Sequence, residues 1–136
     1  MATKTASKAA LGVQPKGLSV GLVAVTSIYS LTNSLSAGDV IQMVKVPKGA
    51  TPVYVALSYP AAGANVGNAR VGDGVSAARY ITGYAYSSTG VQAVINTAYV
   101  PYTYSVDDTI DITLLSVSVA SVEGSFVLTA IFAMDT

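Results

Sequence analysis

The stretch TIDITLLSVSV, Thr109 to Val119, decides the fold. Ile110, Ile112 and Leu114 share one parity, while Thr109, Asp111 and Thr113 share the other, which is the two-residue period of a strand with one face buried. After Leu115 the apolar residues move to Val117 and Val119, a change of parity that one extra residue, a β-bulge, produces. Downstream, Glu123-Gly124 turns the chain into SFVLTAIFAM, Ser125 to Met134, apolar on both parities. Such a strand is covered on both sides, by the core on one and by a neighbour or a second layer on the other.

The same pattern extends upstream. Ser19 to Tyr29 is rich in valine, Asp39 to Val46 ends at Pro47-Lys48-Gly49, and Val53 to Tyr59 is bracketed by Pro52 and Pro60. The second and third of these runs are expected to pair across the intervening turn. Pro60 to Ala69 reads as a small-residue loop, and Asp73-Gly74 as a hairpin turn. Arg79 to Tyr86 and Val91 to Val100 suggest a further pair across Ser87 to Gly90. Short strands punctuated by Gly, Pro, Asn and Asp predict an all-β fold, an antiparallel β-sandwich of jelly-roll type. Residues 1–16, with Lys4, Lys8 and Lys16, no acid and few large apolar side chains, read as an extended N-terminal arm. Residues 17–136 then form a single β-sandwich domain.

Composition excludes more than it suggests. The 136 residues include no His, no Cys and no Trp, which removes the usual general base, thiolate chemistry and the imidazole and thiolate metal ligands. No Gly-x-Ser-x-Gly, P-loop or dinucleotide fingerprint occurs, so no enzyme activity and no cofactor are expected. Charged residues make up 10 % of the chain, against roughly 25 % in an ordinary soluble domain. Apolar residues reach 51 % with a mean hydropathy of +0.54. A surface so short of charge is either covered by a partner or kept in solution by Ser, Thr, Gly and Ala in place of charges. All seven basic residues precede residue 80, where only Asp39 and Asp73 oppose them, and the remaining acids all follow. Basic density is too low for nucleic acid. No apolar run is long enough to span a membrane. Leu18 to Leu31 is too often interrupted by Ser and Thr, and starts too far into the chain, to read as a secretory signal.

Two clusters are candidate sites. Asp107, Asp108 and Asp111 offer oxygens to a hard cation, but the spacing lacks a calcium-loop pattern, and capping of local amides is the ordinary reading of such acids. Tyr80, Tyr84, Tyr86, Tyr99, Tyr102 and Tyr104 gather six of the nine tyrosines. Large rings with polar tips suit a core rimmed by hydroxyls, a self-association face or a sugar platform.

Read together, GDVIQMVKVPKGATPVYVALSY (Gly38 to Tyr59), VGDGVSAARYITGYAY (Val71 to Tyr86) and YSVDDTIDITLLSVSVASVEGSFVLTAIFAMDT (Tyr104 to Thr136) resemble small virion proteins of tailed bacteriophages. The resemblance implies a jelly-roll decoration or cement protein, placed on the capsid exterior. There it would bridge major capsid protein subunits as a homo-oligomer, a dimer or trimer, with no catalytic residue. The N-terminal region carries no pattern of that group. Its lysines, Lys4, Lys8 and Lys16, are expected to touch the capsid, and the Tyr80 to Tyr104 face to mediate self-association. A receptor- or carbohydrate-binding module of a tail or head fibre is the competing expectation, which glycan-array binding by the isolated protein would favour.

Overall fold

The computed structural model describes residues 2–5, 21–30, 35–59, 66–86, 90–94, 102–118 and 125–134. These contain β1 (Thr3–Thr5), β2 (Gly21–Ser30), β3 (Val40–Val46), β4 (Ala50–Tyr59), β5 (Val66–Gly72), β6 (Ile81–Tyr86), β7 (Gly90–Val94), β8 (Asp108–Ser118) and β9 (Ser125–Met134). No helix occurs among the described residues. The strands form two sheets, ordered β1-β3-β8-β5-β6 and β2-β9-β4-β7.

The pairing has a simple logic. β5 runs antiparallel to β6, β4 to β7, β3 to β8 and β2 to β9, so one half of the chain lies against the other as a long ribbon. Successive rungs alternate between the sheets, and the pairs β4·β9 and β5·β8 close each sheet. This order is compatible with the expected jelly roll. The exception to antiparallel pairing is β1, which adds to β3 in parallel. Thr3–Thr5, assigned by the sequence to an arm, are thus an edge strand of the first sheet.

Two expected hairpins do not form. β3 and β4 lie in different sheets, as do β6 and β7, because successive pairs of the ribbon belong to alternate sheets. At the first crossing Gly49 adopts φ 88°, a conformation that costs other residues a steric penalty. Its amide donates to the Tyr104 carbonyl at 2.7 Å. Val66–Gly72, partly read as a small-residue loop, is a strand. The hairpin expected at Asp73-Gly74 does form, between β5 and β6, with Asp73 to Tyr80 as its connection.

The inferred bulge in β8 is present. Asn68 pairs with Ser116 and Ala69 with Leu114, leaving Leu115 unpaired as the extra residue. β9 is central in its sheet, which explains its apolar character on both parities. Phe126, Leu128, Ala130 and Phe132 point inward and are fully buried, whereas Val127, Thr129 and Ile131 are half-buried between β2 and β4. The inward row meets Ile41, Met43, Ile110, Ile112 and Leu114 of the other sheet in one core. Each large apolar side chain there contributes about 1.5–3 kcal/mol through burial.

Candidate functional site

The β3–β4 turn, the β5–β6 connection and the segment entering β8 meet at one end of the sandwich. Asp73 stands at their centre, only 4 % exposed. Its Oδ1 accepts the Val75 and Ser76 amides at 3.0 and 2.8 Å, the local turn an Asp-Gly sequence favours. Its Oδ2 accepts from Arg79 Nε and from the Tyr104 hydroxyl at 2.9 Å. Burial opposes the Asp73 charge, but the Arg79 guanidinium, the two amides and Tyr104 outweigh it and hold the carboxyl below its ordinary range. The backbone is equally committed. A Cβ on Gly72 would lie 2.0 Å from the Ser76 carbonyl oxygen, so glycine is what lets the connection fold back onto β5.

Three of the predicted tyrosines belong to this cluster. The Tyr104 ring is 2 % exposed; its hydroxyl lies 2.6 Å from that of Tyr80. Tyr102 meets Tyr104 edge-on, with centroids 5.0 Å apart, and carries the Arg79 guanidinium on its face at 3.6 Å, a cation–π contact. Burial first, and then Tyr80 and Asp73, push the Tyr104 hydroxyl far above the ordinary tyrosine value; burial raises that of Tyr80 as well. Both therefore stay protonated as donors. Tyr104, expected on a self-association face, is corrected to a core residue, because its polar tip is satisfied inside the protomer. Tyr80 and Tyr102 are half-buried beside it. The backbones of Tyr84 and Tyr86 pair with Ala69 and Gly67, while Tyr99 lies outside the described residues.

The aspartates after Tyr104 are dispersed. Asp107 accepts the Lys48 amide at 2.8 Å, and Asp108 accepts the amides of Gly74 and Thr109. Asp111 sits in β8 opposite Gln42 and Gly72. No group of three acidic side chains able to hold a metal ion occurs among the described residues. Two of these caps reach distant turns instead of local amides. Asp111 differs from its neighbours: its Oδ1 has no hydrogen-bond partner. Burial pushes its carboxyl up to about 7, with Asp108 and Asp73 adding to the rise and Thr109 opposing it.

Of the predicted capsid contacts, Lys4 is half-buried on β1, close enough to Asp39 to favour that carboxylate's charge. Asp39 also accepts the amides of Ser36 and Ala2, fastening β1 to β3. Lys8 and Lys16 lie outside the described residues. Sequence reasoning missed the Asp73–Arg79–Tyr104 cluster. The available signal was an Asp-Gly turn with an arginine six residues on, in a chain that spends few charges.

No protein-family model matches the sequence, and no curated protein does. Among solved structures, a chain of the capsid of Ralstonia phage GP4 superposes with a TM-score of 0.77 at 15 % identity, covering 98 % of this chain and 99 % of that one. A chain of the cyanophage Pam1 capsid asymmetric unit gives 0.65 at 17 %, over 88 % and 89 %. A chain from the acid-stable capsid of Helicobacter pylori bacteriophage KHP30 gives 0.60 at 12 %, over 85 % and 89 %. The likeness is one of fold, and it extends over almost the whole of both chains.

Proposed function

We propose that the chain is a non-enzymatic virion structural protein that binds the outside of a phage capsid as a homo-oligomer and stabilises the shell by bridging major capsid protein subunits. The observation that carries this reading is the near full-length likeness in fold to three chains from phage capsids. The chemistry is consistent with it, since the polar cluster at the turn end binds itself closed. The composition adds support, because a protein covered by its own copies and by a shell tolerates a surface poor in charge. Lys4, Lys8 and Lys16 are the proposed shell contacts, acting together across symmetric copies. The exposed edges of Tyr80 and Tyr102, with Tyr84, Tyr86 and Tyr99, are the proposed aromatic contribution to self-association.

Co-expression with the major capsid protein of the same virus tests the reading. The protein should sediment with assembled shells and raise their melting temperature. Shells that form without taking it up would overturn the proposal. Deleting the first sixteen residues would also remove β1, so the lysines are better probed by Lys→Ala changes at positions 4, 8 and 16.

A further inference from the structure

The two sheets differ in charge. None of the residues of β2, β4, β7 and β9 is Asp, Glu, Lys or Arg, whereas the other sheet carries Lys4, Lys45, Arg70, Asp108 and Asp111. We propose that the outer face of the four-stranded sheet is where a second copy of this chain packs, sheet on sheet. The inference rests on the homo-oligomer of the functional reading and places its principal contact on this sheet, apart from the tyrosine edges of the β5–β6 end.

Register defines that face. Leu22 and Ile28 on β2 point away from the core beside Ala133 and Val127 of β9, and Tyr54 of β4 points out beside Ile131. Leu22 is 69 % and Ile28 55 % exposed, unusual for large apolar side chains in a chain that buries a full core. At the centre of the face, Thr26 and Thr129 bond to each other, oxygen to oxygen, at 3.0 Å. The central hydroxyls already have partners, so drying this surface leaves neither unpaired.

Complementarity selects the occupant. A face with no charge needs a counter-face that strands no charge on contact, and the same sheet of another copy provides one, whereas the sheet with Lys45 and Arg70 does not. Size agrees as well. β2, β4 and β9, of ten residues each, span roughly 33 Å, and with the five-residue β7 beside them at about 4.8 Å per strand they give a footprint of roughly 550 Å² per copy. A specific interface needs about 500 Å² from each partner. Aligned packing of two such sheets about a two-fold axis buries Leu22 and Ile28 of both copies.

The test measures molar mass by light scattering and dissociation by sedimentation for the full chain. The pair of variants Leu22→Lys with Ile28→Lys should dissociate the oligomer, weakening association at least a hundredfold. Val75→Lys, on the β5–β6 connection, should leave it intact. Leu22→Thr with Ile28→Thr keeps strand propensity without adding charge and should weaken association by a smaller factor. Unchanged association in both sheet variants would overturn this surface while leaving a homo-oligomer in place. A wild-type protein that stays monomeric yet binds shells through this face would assign it to the capsid and equally overturn the proposal.

Discussion

The hydroxyl of Tyr104 donates to Oδ2 of Asp73 across 2.9 Å, joining the segment before β8 to the connection between β5 and β6. Residues distant in sequence thus close one end of the sandwich. Tyr104→Phe keeps the ring packed but removes a donor from a buried carboxylate and the partner of the Tyr80 hydroxyl. The expected loss is about 1–3 kcal/mol, read as a lower urea midpoint with unchanged m-value. An unchanged midpoint would show that the bond contributes nothing net.

Asp73→Ala should be costlier. It removes the acceptor of the Val75 and Ser76 amides and leaves Arg79 without its carboxylate. Breaking one side of a partly buried pair costs about 3–5 kcal/mol. Asp73→Asn, which keeps an acceptor for the Val75 and Ser76 amides but carries no charge, should recover part of that, and equal midpoints for the two variants would contradict the contribution of the amide caps.

Gly72→Ala asks for a methyl group 2.0 Å from a backbone oxygen. Because the obstacle is backbone and not a flexible side chain, relief requires moving the connection away from β5. A loss of at least about 2 kcal/mol follows from overpacking of this kind. Hydrogen exchange in Asp73 to Tyr80 should accelerate; wild-type exchange there would refute the close approach.

Asp111 makes stability depend on pH in an unusual direction. Its folded-state value, about 7, lies above the ordinary 3.8, so between roughly pH 4 and 7 the folded protein binds more protons than the unfolded chain. Stability therefore falls as pH rises through that window. Asp73 and Asp39 have values lowered from 3.8; their contributions are present above that value and are lost as pH falls below it. Thermal stability should peak near pH 4–5. Asp111→Asn should flatten the decline above the peak and raise the melting temperature at pH 8 by a few degrees, corresponding to about 1–2 kcal/mol. The chain contains no histidine to mimic the effect. A wild-type melting temperature flat from pH 5 to 8 would rule it out.

What the sequence disclosed was local. The parity change at Leu115 marks a bulge because side-chain direction in a strand alternates with each residue, and the apolar parities of β9 report its central place. Partner choice was not legible. Pro47-Lys48-Gly49 is sound turn chemistry whether the chain returns beside β3 or crosses to the other sheet, and only β8 and β9, far along the chain, decide between these. Val66–Gly72 was obscured because small residues in a strand look like a loop until β8 covers them. The Asp73 cluster was hidden for the same reason, since Tyr104 reaches it only after the ribbon has folded.

That ribbon sets an order of events. β9 lies between β2 and β4, and Thr26 meets Thr129 across a separation of 103 residues. Until β9 arrives, β2 and β4 have no common neighbour, and two long uncharged strands wait with open edges. Such non-local pairing is slow and exposed to aggregation. During synthesis the charged sheet can take shape first through β3, β5, β6 and β8. The uncharged face is completed only once β9 has been made, so its folding and its readiness to assemble become a single step.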